Sequence, residues 1–223
     1  MSAAPHQPPD SRPAMGQLAT RTLVGVALAS VSLLALFIGG WAFAIPVAVA
    51  AGLVFAEWRA MTRGWGAAWF IGGVLYALIP AVALLWLRLP PDGVWIVLWV
   101  FIVTWATDIF AYAAGRSFGG PKLAPSFSPN KTWSGLVGGV AGAMIFAGLL
   151  VVQTGLPRVL LLAAPLFALA AQGGDLFESA VKRRAGVKDA SHLLPGHGGI
   201  MDRLDGLIPV AILTLLLSLS WSA

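Results

Sequence analysis

The sequence predicts an all-α, polytopic membrane helix bundle of about seven transmembrane helices, and three observations carry that expectation. The chain of 223 residues is 58% hydrophobic and only 10% charged. Its apolar residues fall in charge-poor windows long enough to cross a bilayer, which takes about 20 residues per helix. Its Lys and Arg residues gather in alternate connections, as the positive-inside rule requires of a multi-pass chain.

The opening segment is rich in Pro, Ser and Ala and has little to bury, so residues 1–20 are expected to form a disordered cytoplasmic tail. It lacks a convincing cleavage site and is not read as a signal peptide. Residues 21–223 then make a single transmembrane domain, with the polar motifs confined to 104–206. Spans are expected at 23–39, 41–56, 67–87, 94–115, 136–152, 159–174 and 207–221. Only Gly39-Gly40 separates the first two, so one long kinked helix or a re-entrant hairpin competes with two spans there.

With the N-terminus in the cytoplasm, Arg12, Arg21, Arg59, Arg63, Arg116, Lys122, Lys131, Lys182, Arg183, Arg184, Lys188 and Arg203 all lie inside. Only Arg88 and Arg158 lie outside, a bias of twelve in fourteen. Trp41, Trp58, Trp65, Trp86, Trp133 and Trp221 fall near predicted span ends, where an amphipathic indole favours the interface. The expectation is a multi-pass protein of the cell inner (plasma) membrane whose polar site faces the cytoplasm.

Absence of cysteine excludes disulfides, thiolate catalysis and Cys-ligated metal. The pI near 10.2 reads as a basic face toward anionic lipid. No array of aromatic and basic residues points to nucleic acid.

Four polar patches interrupt this apolar chain, all on the predicted cytoplasmic side. After the sixth window, Asp175, Glu178, Ser179 and Lys182 stand at i, i+3, i+4 and i+7, one face of a helix. Either they form a local ladder of salt bridges or they face water, a cation or a ligand. Asp108, Tyr112 and Gly115 share a face at the end of the fourth window. Asp108 lies inside an apolar span, where burial is costly without a partner, so it pairs with a basic residue such as Arg116 or serves a site.

The third patch, Ser126 to Trp133, leads into the fifth span. Pro129 near a helix start, with Ser128, Asn130, Lys131 and Thr132 around it, suggests an anion cradle at a helix N-terminus. In the fourth, glycines flank His197, which permits close backbone approach to a ligand, and Asp202 and Asp205 stand at i, i+3. Paired carboxylates without Cys suit Mg²⁺ better than Zn²⁺. The glycine pairs Gly135/Gly139 and Gly138/Gly142 in the fifth span are explained by helix packing alone.

Carboxylates, phosphate-sized basic groups and glycine-rich backbone on one side of a membrane are the inventory for metal-assisted phosphoryl or nucleotidyl transfer. The order Ser179-x-x-Lys182-Arg183-x4-Lys188-Asp189-x5-Pro195-Gly196-His197-Gly198-Gly199-Ile200-x-Asp202-Arg203-x-Asp205 resembles the signature of the phosphatidate cytidylyltransferase (CDP-diacylglycerol synthase) family. Gly174-Asp175-x-x-Glu178-Ser179, Asp108-x3-Tyr112-x2-Gly115-Arg116-x2-Gly119 and Ser128-Pro129-Asn130-Lys131-Thr132 are similar to that family's other blocks, in the same order. Motifs cover about residues 100–206; Ser134 departs from the Glu or Gln common after Lys-Thr-Trp in the family.

The resemblance implies transfer of a cytidylyl group from CTP to phosphatidate, giving CDP-diacylglycerol and pyrophosphate in phospholipid biosynthesis. It implies Mg²⁺ held by Asp175, Asp202 and Asp205, with Asp108 supporting a second cation or orienting a basic residue. Lys131, Lys182, Arg183, Lys188 and Arg203 would meet phosphates, with hydrogen bonds from Ser179 and His197. Tyr112, Arg116, Ser128, Asn130, Thr132, Gly198 and Gly199 complete the substrate-binding set, and a homodimer is compatible with it. A CTP-dependent lipid kinase, or a cytidylyltransferase acting on another lipid phosphate, would use a similar inventory. A transporter would place Asp108 and Asp175 as ion sites, but no inverted repeat is visible.

Overall fold

The structure, a computed structural model, describes residues 14–194 and 198–221. Eight helices and a hairpin follow in order: α1 (Ala14–Ile38), α2 (Gly40–Met61), α3 (Ala67–Leu87), α4 (Gly93–Phe118), β1 (Lys122–Ala124), β2 (Ser128–Thr132), α5 (Trp133–Thr154), α6 (Val159–Arg184), α7 (Met201–Leu204) and α8 (Leu207–Trp221). Among the described residues, α2 to α6 are each long and apolar enough to cross a membrane. The other two expected spans are shorter apolar stretches, Thr22–Ile38 within α1 and Leu207–Ser220 within α8. Helix α1 begins at Ala14, inside the segment expected to be tail, and residues 1–13 lie outside the described residues.

Two helices, and not one kinked helix, occupy 14–61. Gly39 and Gly40 take φ of 70° and 52°, the left-handed region that glycine enters without a Cβ penalty, and the helix ends there. Arg88 ties this turn from the α3–α4 connection by donating from Nε to Leu36 O at 3.0 Å. That bond satisfies one of the carbonyls a helix leaves orphaned at its C-terminus.

Helix α4 runs through the centre. Val97, Trp99, Val100 and Val103 are fully buried against Leu36, Ala83, Leu160 and Val210, which come from α1, α3, α6 and α8. The glycines of α5 lie against it: a Cβ on Gly139 would come within 2.8 Å of Thr107 O, and one on Gly135 within 2.9 Å of Ala111 O. The small-residue pairs therefore serve close approach of α4 and α5, as expected without invoking chemistry. Outward, Trp41 and Leu162 are 81% and 77% exposed, an apolar surface that suits lipid and not water.

One expectation is corrected. Ser128–Thr132 does not open a helix at Pro129 but forms a strand, antiparallel to β1 with Lys122 opposite Thr132 and Ala124 opposite Ser128. The helix starts at Trp133, capped by Thr132, whose Oγ1 accepts from Gly135 N at 3.1 Å. Pro129 lacks an N–H to donate, which an edge strand tolerates, so the anion cradle expected around it is not formed by a helix N-terminus.

Candidate functional site

The polar side chains converge where α6 leaves the apolar core. The face expected from spacing is present: Ser179 Oγ donates to Asp175 Oδ1 at 3.3 Å, and Lys182 Nζ lies 3.3 Å from Glu178 Oε1. This is not merely a local ladder, because both cations of the site reach across to other elements. Lys182 Nζ donates to Asp202 Oδ1 of α7 at 2.5 Å. Lys131 of β2 crosses to α6, with Nζ 2.6 Å from Asp175 Oδ2 and 3.0 Å from Gln172 Oε1. The hairpin thus delivers a lysine to the acidic face.

Asp202 is engaged on both of its oxygens. Besides Lys182, it accepts on Oδ2 from Ala190 N at 2.9 Å and Gly199 N at 2.7 Å. Burial would raise its pKa, but the Lys182 bond and the two backbone N–H groups outweigh that and hold it below the usual carboxylate range. Asp205 goes the other way. Burial, then the nearby charge of Asp175, push its carboxyl up to about 6, against the favourable Gly206 N–H at 2.8 Å. Completely buried Glu178 faces it.

Among the described residues, no three Asp, Glu or His side chains stand at metal-ligand spacing. The expected trio of Asp175, Asp202 and Asp205 is not gathered as one ligand set, because the oxygens of Asp202 are committed to Lys182 and two backbone donors. Asp205 stands close enough to Asp175 for the two charges to repel, while Asp175 itself meets Lys131 on Oδ2 and Ser179 on Oδ1.

A cavity of about 480 Å³ opens beside this cluster. Its walls are mainly apolar, from Leu28 and Ala35 of α1, Phe43 and Val54 of α2, and Ala77 and Leu84 of α3, while Asp108 and Arg203 contribute charge. Asp108 therefore serves a cavity and makes no ion pair with Arg116. Arg116 Nη1 instead donates to Tyr112 OH at 3.5 Å, a long i, i+4 contact on an exposed face.

The remaining expected residues are less gathered. Arg183 donates to Phe127 O at 3.4 Å and Val187 O at 3.3 Å, bracing the hairpin turn. Lys188 and Asn130 are exposed, and Ser128 is half-buried in β2. His197 lies outside the described residues. Gly198 takes φ of 78°, and a Cβ there would meet Asp202 Oδ2 at 2.7 Å, so glycine is required twice over.

Sequence reasoning missed Glu57. Only 6% exposed at the end of α2, it accepts from Ser191 Oγ at 2.6 Å, Ile200 N at 3.0 Å and Met201 N at 2.7 Å. The signal was available: a lone acid beside an apolar window, the argument applied to Asp108.

Comparisons with known proteins add an independent line. The pattern of the cytidylyltransferase family matches residues 61–221. A phosphatidate cytidylyltransferase of Brucella abortus is 47% identical over 175 residues, covering 76% of this chain and 62% of that protein. One of Rickettsia felis is 35% identical over 178 residues, covering 74% and 77% respectively. One of Haemophilus influenzae is 43% identical over 145 residues, covering 58% and 50%. The chain thus spans less than two thirds of the length of the Brucella and Haemophilus relatives.

Proposed function

Because the chain belongs to the cytidylyltransferase family, we propose that it transfers a cytidylyl group from CTP to phosphatidate, releasing pyrophosphate and forming CDP-diacylglycerol. The observation that carries this reading is the meeting of Lys131, Asp175, Lys182, Asp202 and Asp205, from three separate elements, beside an apolar cavity that ends in Arg203 and Asp108. A site of that composition accepts a polyphosphate and a lipid together.

An oxygen of the lipid phosphate attacks the α-phosphorus of CTP, a new P–O bond forms, and the bond to the β-phosphate breaks with pyrophosphate leaving. The nucleophile is already anionic at neutral pH, so no strong base is needed. The barrier lies in bringing two polyanions together in line. Lys182, fixed between Glu178 and Asp202, and Lys131, fixed by Asp175 and Gln172, hold positive charge in place before substrate arrives. Such charge does not have to reorganise as negative charge moves to the leaving group. Asp175 and Asp205 would hold Mg²⁺, which when bound supplies further neutralisation at the phosphates. Asp202 acts instead by holding Lys182 and the backbone at Ala190 and Gly199. Arg203 pairs with the lipid phosphate, while an acyl chain occupies the cavity between α1, α2 and α3. The inside-positive charge bias supports a site on the cytoplasmic face of the inner membrane.

The test is an assay of purified protein with labelled CTP, phosphatidate and Mg²⁺, with and without EDTA. Lipid-linked cytidylate and pyrophosphate, lost with EDTA, are expected. Release of CDP would mean a lipid kinase, and no labelled lipid at all would overturn the reading.

A further inference from the structure

Between α6 and α7 the chain makes an excursion whose two stems are residues 190–191 and 199–201. Asp202 holds the stems through Ala190 N and Gly199 N. Glu57 holds the adjoining positions, through Ser191 Oγ on one stem and Ile200 N and Met201 N on the other. The two carboxylates grip adjoining points on both stems, and Leu194 N donates to Gly198 O at 2.8 Å. Gly199 lies between the acids: a Cβ there would stand 2.5 Å from Glu57 Oε1 and 2.7 Å from Oε2.

Glu57 belongs to α2, whereas Lys131, Asp175, Lys182, Asp202 and Asp205 come from β2, α6 and the segment between α6 and α8. We propose that Glu57 is a positioning residue for cytidylyl transfer, clamping the stems at 190–191 and 199–201 so that Asp202 holds Lys182. The proposal rests on the reading of the site given above. Three donors on a buried carboxylate are charge-assisted bonds, roughly twice as strong as neutral ones, so this is an anchor and not an incidental contact. Glutamine would accept some of these bonds but would turn its NH₂ toward another donor.

The experiment uses the full chain, reconstituted in vesicles, as wild type, Glu57→Ala, Glu57→Gln, Gly199→Ala and the double variant Glu57→Ala/Gly199→Ala. Two readouts are followed: kcat and KM with CTP and phosphatidate, and the rate of trypsin cleavage after exposed Lys188. Glu57→Ala is expected to lower kcat by about 100-fold, the scale of a misplacement near 1 Å, with a smaller change in KM. Cleavage at Lys188 accelerates while the transmembrane helices stay intact. Glu57→Gln falls between Glu57→Ala and wild type. Gly199→Ala is damaging alone but adds little to Glu57→Ala, since the carboxylate it collides with is gone. Wild-type kcat and unchanged Lys188 cleavage in Glu57→Ala would overturn the clamp, as would additive damage in the double variant. So would general cleavage of the helices in both Glu57→Ala and Glu57→Gln, which would make the residue a fold determinant only. If wild type forms no lipid cytidylate, the proposed reaction fails, whereas the cleavage series still decides whether Glu57 holds the segment.

Discussion

Lys182 Nζ lies 2.5 Å from Asp202 Oδ1, joining α6 to α7 by one ion pair, and the same nitrogen stands 3.3 Å from Glu178 Oε1. One cation therefore offsets two acids whose side chains are 4% and 0% exposed. Lys182→Met leaves both carboxylates buried without it, and breaking a buried pair from one side typically costs about 3–5 kcal/mol. The variant is expected to unfold at lower temperature in detergent and to lose turnover. Lys182→Arg is expected to keep most of the stability and lose activity, because a planar fork does not reproduce a point charge. A Lys182→Met protein as heat-resistant as wild type would refute the pairing.

Lys131 and Asp175 tether the hairpin to α6 at 2.6 Å. A double-mutant cycle of Lys131→Met and Asp175→Asn, read through kcat/KM, is expected to give a coupling energy of about 0.5–3 kcal/mol, the range for residues in one network. Strict additivity would show that the contact does not operate during turnover.

Asp175 and Asp202 are both acidic but have different partners, and on the proposed reading their variants should separate. Asp175→Asn is expected to raise the Mg²⁺ concentration needed for half-maximal activity. Asp202→Asn is expected to release Lys182 and the backbone at Ala190 and Gly199, speeding trypsin cleavage at Lys188 with the Mg²⁺ requirement changed far less. Identical metal titrations for the two variants would contradict the division.

The cavity gives a prediction about the lipid alone. Ala81 lines its α3 wall, and Ala81→Phe would fill part of its volume. KM for phosphatidate is expected to rise, most for long acyl chains, with KM for CTP unchanged. Since each buried CH₂ is worth about 0.8 kcal/mol, exclusion of two methylenes corresponds to roughly a tenfold effect. A parallel rise in both KM values would mean that the cavity is not a tail site.

The extent to which sequence disclosed this molecule follows from the range of the forces involved. Five of the seven expected spans and the Asp175–Lys182 face depend on patterning within one helix and are legible in the sequence, as is the glycine stripe by which α5 meets α4. The hairpin is not, because Lys122–Ala124 and Ser128–Thr132 are three and five residues long and acquire strand character only by pairing with each other. Nor is the bond from Arg88 Nε to Leu36 O, or that from Met201 N to Glu57 Oε2, since partners 52 and 144 residues apart leave no local trace. The engagement of Asp202 by Ala190 N and Gly199 N is equally hidden, because those N–H groups are set by the path of the backbone.

Helix α6 runs unbroken from the apolar core at Leu160 to Arg184, and the acidic face rides on its last turns. The height of Asp175 and Lys182 above the bilayer centre is therefore fixed by how the apolar part of α6 matches the hydrocarbon. The phosphate of the proposed lipid substrate has its own height, set by the bilayer. Membrane thickness then becomes an alignment variable for the chemistry: a bilayer thinner or thicker than α6 prefers lifts or sinks the target phosphate relative to the lysines, at a cost of fractions of a kcal/mol per Å.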